Sequence, residues 1–242
     1  MKNKKKYTAI LLGLLVGAGG SAFADTIAVH SADTALLVGG SPAANFGGIM
    51  RLRHDNTADW GNETAVEKFD IAAIQATLGV GESVVVNSAR IGFWASRTGG
   101  SWDGAQTYPE ITLHMNISDW DGSTVTWATA PSLYTAANSS ANTIGIIDFT
   151  ANPLTSDGWL YFDDALTAAM VEGWVNGTIA DYGVTVGVNG PVTDTTRLLD
   201  LQTADWGNEL FVDYTIIPEP ATLGLVGILG AAMLVVRRKF MI

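Results

Sequence analysis

Between residues 25 and 217 apolar side chains recur at every second position, in short runs broken by clusters of Gly, Asn, Asp and Ser. A strand sends successive side chains to opposite faces, so this period of two predicts half-buried β-strands joined by turns. Strands are expected over 26–30, 34–38, 49–53, 65–71, 83–95, 111–117, 124–127, 143–149, 158–162, 182–188, 196–201 and 209–216, with a loop over 39–48. In the clearest run, Ala65, Glu67, Phe69 and Ile71 share one face. The longest, 83–95, is expected to bend at Asn87-Ser88. One segment departs from the pattern: Leu166, Met170 and Trp174 stand four residues apart before a stop at Asn176-Gly177, which predicts a short helix capping an open end. So many short strands at this spacing predict an all-β fold, an antiparallel two-sheet sandwich of jelly-roll type with one short helix.

Both ends of the chain are built differently. Lys2, Lys4, Lys5 and Lys6 precede an apolar stretch over 9–18, and Ala22-Phe23-Ala24 supplies small residues at Ala22 and Ala24. That order predicts a secretory signal peptide over 1–24, cleaved before Asp25; a retained N-terminal helix is the alternative. At the other end, Pro218-Glu219-Pro220 is followed by an uncharged run over 221–236 and then by Arg237-Arg238-Lys239. A helix over those sixteen residues reaches about 24 Å, somewhat short of the ~30 Å bilayer core, a gap that snorkelling arginines can close. Positive charge after the run predicts a cytoplasmic C-terminus with the domain outside.

Those three parts, in that order, resemble the PEP-CTERM sorting signal of Gram-negative bacteria. The resemblance implies a transient inner-membrane anchor over 218–242, recognition by an exosortase-type membrane protease, and delivery to the outer surface or the exopolysaccharide matrix. An unprocessed single-span anchor is the other reading.

With the ends set aside, residues 25–217 keep six basic residues (Arg51, Arg53, Lys68, Arg90, Arg97 and Arg197) against 23 acidic ones, a net charge of −17. Such a surface repels nucleic acid and anionic membrane. The chain has no cysteine, so a domain of this size is held by its core rather than by disulfides.

Thr57-Ala58-Asp59-Trp60-Gly61-Asn62-Glu63 recurs unchanged as Thr203-Ala204-Asp205-Trp206-Gly207-Asn208-Glu209. Asp, Gly and Asn tolerate turn conformations, so each copy is expected to join a hairpin. Each Trp then either meets a ligand at one rim or covers a core edge. The order Asp33-Thr34, Asn45-Phe46-Gly47, Met50-Arg51-Leu52-Arg53 and Val66-Glu67-Lys68-Phe69-Asp70-Ile71, followed by Trp120 with Thr124-Val125-Thr126-Trp127 and Pro131, resembles DNRLRE-type domains. Met170 to Trp174 and Asp181-Tyr182-Gly183-Val184 resemble a later segment of the same domains. They are extracellular jelly-roll modules, some of which bind acidic polysaccharide. Lys68 stands where the family more often has Arg, and no complete signature string is present, so the resemblance carries the fold further than any ligand.

Catalysis has the least support. His30, His54 and His114 form no metal-binding pattern, and no nucleophile elbow or phosphate loop stands in context. A polysaccharide-cleaving carboxylate pair is the enzymatic alternative. Structural calcium is a second candidate: Asp119-Trp120-Asp121-Gly122 sets two carboxylates beside a turn, and Asp33 and Asp70 are further oxygen ligands; turn-forming Asp is the plain alternative. Polysaccharide binding without catalysis is the favoured reading, against a structural matrix or adhesion protein with no specific ligand. Trp60, Trp94 and Trp206 are the candidate stacking rings. Arg51 and Arg53 alternate onto one strand face, and with Lys68 on the next strand they are expected to read uronate or sulfate groups; pairing with neighbouring carboxylates is the competing role.

Overall fold

A computed structural model describes residues 24–47, 50–54, 63–96, 110–129, 142–148, 158–189, 197–201, 208–218 and 220–240. They hold eleven strands: β1 (Ala24–Val38), β2 (Phe46–Gly47), β3 (Met50–His54), β4 (Glu63–Phe69), β5 (Glu82–Ser96), β6 (Glu110–Met115), β7 (Thr143–Asp148), β8 (Gly158–Phe162), β9 (Val184–Asn189), β10 (Arg197–Leu201) and β11 (Glu209–Pro218). Three helices accompany them, α1 (Ala72–Gln75), α2 (Ala165–Val175) and α3 (Pro220–Phe240). Every ladder among these strands is antiparallel. The protein is therefore all-β, as the alternation predicts.

The strands form one continuous sheet in the order β2-β1-β11-β5-β10-β3-β4-β9-β6-β7, with β8 on β5 and a further β1–β4 pairing. That last pairing closes a ring, β1-β11-β5-β10-β3-β4 and back to β1. Closure works because the two 15-residue strands change partners along their length. β1 bonds β11 over 24–30 and β4 over 31–38, with a register shift between Ser31 and Asp33. β5 bonds β11 over 82–92 and β10 at Ala95 and Ser96, while β8 pairs its other edge over 91–95. Opposite β5, Ser88 faces Asp213 and Val86 faces Tyr214, which leaves Asn87 as the extra residue of a bulge. A bulge bends its strand and resets the alternation: Val84 and Val86 are buried before it, Ala89, Ile91, Phe93 and Ala95 after it. The bend expected at Asn87-Ser88 is thus present. The two strands expected over 26–30 and 34–38 are one bent strand, β1.

The main core gathers Phe69, Ile71, Ile91, Phe93, Phe162, Trp174 and their neighbours. A smaller cluster of Ala35, Leu37, Val66, Trp120 and Val125 lies elsewhere. β4 contributes to both, Ala65 and Phe69 to the first and Val66 to the second, so it is buried on two faces. The strand expected over 124–127 is absent. Asp121 accepts from Thr124 N and Val125 N through its carbonyl, at 3.0 and 2.8 Å, and from Ser123 N through its carboxylate at 2.8 Å. Such local bonds compete with extended pairing and hold a turn instead.

α2 forms where the apolar spacing predicts, but rotated. Met170 and Trp174 are 2% and 1% exposed, whereas Leu166 is 59% exposed and Thr167 and Val171 take the inner positions. α2 lies along β5 and substitutes for a missing strand there. Asn176 Nδ2 donates to Val84 O at 2.8 Å, Asn176 Oδ1 accepts from Val84 N at 2.9 Å, and Glu172 Oε2 accepts from Val86 N at 2.9 Å. Asn176→Ala strands both polar groups of Val84, and a loss of about 2 kcal/mol in urea unfolding is expected; an unchanged midpoint would show that solvent replaces the clamp.

β11 ends at Pro218, and Pro220 opens α3, a position where its missing N–H costs nothing. Among the described residues no helix is long and apolar enough to cross a membrane.

Candidate functional site

On the three strands β8, β5 and β11 the residues that do not enter the core share one outer face. β5 contributes Arg90, Gly92 and Trp94, between the buried Ala89, Ile91, Phe93 and Ala95. β8 contributes Trp159 and Tyr161, and β11 contributes Glu209, Phe211 and Asp213. The register sets Trp159 beside Trp94, Tyr161 beside Gly92, and Phe211 beside Arg90. The rings meet accordingly: Trp94 and Trp159 edge to face, 5.7 Å between centroids, and Trp159 with Tyr161 near-parallel at 15° and 5.9 Å.

Gly92 is what lets them settle. A Cβ there would lie 2.9 Å from Tyr161 Cε1 and 3.2 Å from Trp159 Cε3, so the rings occupy the space a side chain would need. The Arg90 guanidinium sits between two further ring contacts, 4.7 Å from the Tyr161 centroid and 4.5 Å from that of Phe211. Such contacts hold the planar group in place while its N–H donors stay at the rim. Among the described residues Arg90 makes no ion pair or hydrogen bond. Next to this group, His30 Nδ1 stands 3.8 Å from Glu209 Oε1. Asn87 Nδ2, on the bulge, donates to Asp213 Oδ1 at 3.1 Å and to Thr215 Oγ1 at 3.0 Å. The face thus offers apolar ring surface, one oriented cation and flanking carboxylates.

Of the residues expected to bind sugar, Trp94 lies in this face. Trp60 and Trp206 fall outside the described residues. β3 and β4 do pair, but at one position, Arg53 with Glu63; Arg51 lies opposite Asp200 of β10. Lys68 is five residues beyond Glu63, about 16 Å along the strand, and its ammonium is committed. Nζ donates to Asp119 Oδ1 at 2.6 Å and to Trp120 O at 2.5 Å, with the Trp120 ring centroid at 4.9 Å. The described backbone pairing brings β3 and β4 together at Arg53 and Glu63, while the Lys68 ammonium is bonded to the 119–120 segment.

Of the carboxylates expected to hold calcium, Asp33, Asp119 and Asp121 accept from protein donors. Asp33 Oδ2 accepts from Gly122 N at 2.7 Å. The Lys68 ammonium holds the Asp119 carboxyl below its ordinary range, and the Ser123 hydroxyl and N–H do the same for Asp121. Asn45 Nδ2 reaches Gly122 O and Val125 O at 3.0 and 2.7 Å. Together these bonds latch the 119–129 segment onto β1 and β4. Asp70 lies apart, on an open groove of about 460 Å³ shared with Asp181, Gln75 and Trp174. Among the described residues no group of three or more His, Cys, Asp or Glu is set to hold a metal.

The repeated heptapeptide does not serve two hairpins. The first copy joins β3 to β4, which touch at the Arg53–Glu63 bridge, but the second joins β10 to β11, which follow one another along the same edge of β5, both antiparallel to it. The β3–β10 ladder is antiparallel, with His54 opposite Arg197 and Leu201 opposite Met50, so the chain enters the two copies from opposite ends of that pair.

Sequence reasoning missed Trp159, Tyr161, Arg90 and Phe211. The signal was present in Gly158-Trp159-Leu160-Tyr161-Phe162, where Trp and Tyr take the positions that alternate away from the buried Leu160 and Phe162. No family model matches the chain, and no curated protein matches it.

Proposed function

We propose that this is an exported, non-catalytic carbohydrate-binding protein of the cell surface or matrix, and that the face of Trp94, Trp159, Tyr161, Arg90 and Phe211 is its binding site. The observation that carries this reading is the ring set closed over Gly92, with a guanidinium held beside it that makes no ion pair or hydrogen bond among the described residues. Aromatic rings suit the apolar faces of sugars, and an arginine fork suits a uronate or sulfate substituent. Binding is favoured over hydrolysis because Glu209 and Asp213, four residues apart on β11, stand about 13 Å apart along the strand, wider than the ~5 to 9.5 Å of glycosidase pairs.

In this reading the changes of partner along β1 and β5 make the closed sheet a jelly-roll sandwich. The Lys-rich start and the tail, which resembles a PEP-CTERM signal, direct export and surface sorting, with an exosortase-type protease as the processing partner. The tail leaves β11 at Pro218, while the rings lie near Glu209 and Phe211, roughly 23 to 30 Å away along the strand. Tethering at the tail therefore leaves the face clear of the membrane.

The test is affinity electrophoresis of the purified protein in gels containing acidic polysaccharide. Trp159→Ala is expected to weaken retardation about tenfold, in line with the loss of one stacking ring. Retardation unchanged in Trp159→Ala and in Arg90→Gln would remove this face from the site. Absence of retardation by any glycan would favour the structural matrix role.

A further inference from the structure

We infer that the ligand is a polysaccharide whose anionic units are separated by neutral ones, and that Glu209 and Asp213 enforce this. The inference rests on the sugar-binding reading above and concerns which sugar polymer the face accepts. On β11 the outward positions run Glu209, Phe211, Asp213, and Arg90 lies opposite the middle one. One cation on β5 is therefore bracketed by two carboxylates of the neighbouring β11, each about 6.6 Å along that strand from the position opposite it. Neither carboxylate is paired to Arg90, whose contacts are the rings of Tyr161 and Phe211.

A single anionic substituent held at Arg90 gains a fork of N–H donors. A polyuronate carries a carboxylate on every ring, so the units on either side bring theirs over Glu209 and Asp213, where like charges repel. Neutral rings there meet acceptors for their hydroxyls instead. The Asp213 carboxylate is held in place by Asn87 Nδ2 at 3.1 Å, on the bulge of β5, so it does not swing aside. Discrimination thus comes from a built-in repulsive element as well as from the attractive one.

The experiment uses the full-length protein in native gels with non-ionic detergent, cast with one of three polymers. They are a homopolyuronate (polygalacturonate), an anionic polymer with its uronates separated by neutral sugars (gellan), and a neutral glucan (hydroxyethyl cellulose). The spaced polymer is expected to bind about tenfold more tightly than the homopolyuronate. Asp213→Asn combined with Glu209→Gln keeps the size and one acceptor oxygen of each side chain while removing its charge, and is expected to raise homopolyuronate affinity about tenfold with little change for the spaced polymer. Homopolyuronate binding by the parent that equals or exceeds the spaced polymer overturns the inference, and this comparison needs no variant. So does a double variant that folds, by circular dichroism, with the same preference as the parent. Equal retardation by the neutral glucan overturns the role of Arg90, while retardation by none of the three overturns sugar binding itself.

Discussion

At pH 8.5 the Glu67→Gln protein is expected to be more stable than the parent by on the order of 4 kcal/mol, with the two converging near pH 4.5. Glu67 lies in β4 with no exposed surface. Burial pushes its carboxyl up from an ordinary 4.5 to about 8, against smaller opposing pulls from the Ser31 hydroxyl and Asn208. Asn208 Nδ2 donates to Oε2 at 2.7 Å, while Oε1 has no hydrogen-bond partner among the described residues. Between pH 4.5 and 8 the unfolded chain releases this proton and the native state keeps it, so stability falls as pH rises and levels off above 8.

His114 acts in the opposite sense on the acid side. Its ring nitrogens face Thr112 Oγ1 at 2.8 Å and Thr143 Oγ1 at 3.1 Å, and burial lowers its pKa from 6.5 to about 4. The stability of the neutral ring is present above pH 6.5 and is lost as pH falls toward 4. Chemical denaturation across pH 4 to 9 reads both arms. A Glu67→Gln profile that keeps the parent's decline between pH 5 and 8 would mean that Glu67 is not the titrating group.

Gly183→Ala is expected to cost at least about 3 kcal/mol and to leave little folded protein at 37 °C. Gly183 has φ +71°, a conformation that side chains disfavour. A Cβ there would also stand 2.0 Å from the backbone oxygen of Glu67 and 2.9 Å from Lys68 Cγ. The backbone oxygen cannot turn away, because it belongs to the β4–β9 ladder. Gly183 is fixed on both sides, its N–H donating to Asp181 Oδ1 and its carbonyl accepting from Asn116 N, each at 3.0 Å. An unchanged urea midpoint in Gly183→Ala would show that this junction moves as a unit.

Much of the fold was legible because alternation is a local property. The runs over 65–71, 83–95 and 158–162 announced β4, β5 and β8, and the polar pair Asn87-Ser88 announced the bulge. Three things were not local. The turn over 121–124 depends on the Asp121 carboxylate outcompeting strand pairing for the residues after it. The helix face depends on which side of α2 meets β5, so Leu166, placed by spacing with Met170 and Trp174, is exposed, and Val171 is buried. The candidate site depends on register, since nothing in the sequence says that Trp159 lands beside Trp94 or Phe211 beside Arg90. Lys68, singled out in the sequence for its scarcity, has an ammonium that fastens one loop to the sheet, a role set by contacts some fifty residues away.

Ring closure has a consequence for the order in which this protein is made. Ala24 opposes Thr215, so the opening half of the first strand finds its partner only after almost the whole domain has been synthesised. Contacts between such remote segments carry a large loop-closure cost and form late. Until residues 209–215 arrive, that strand is an unsatisfied edge of the kind that seeks other chains. The ring therefore seals only once the last strand of the domain has arrived.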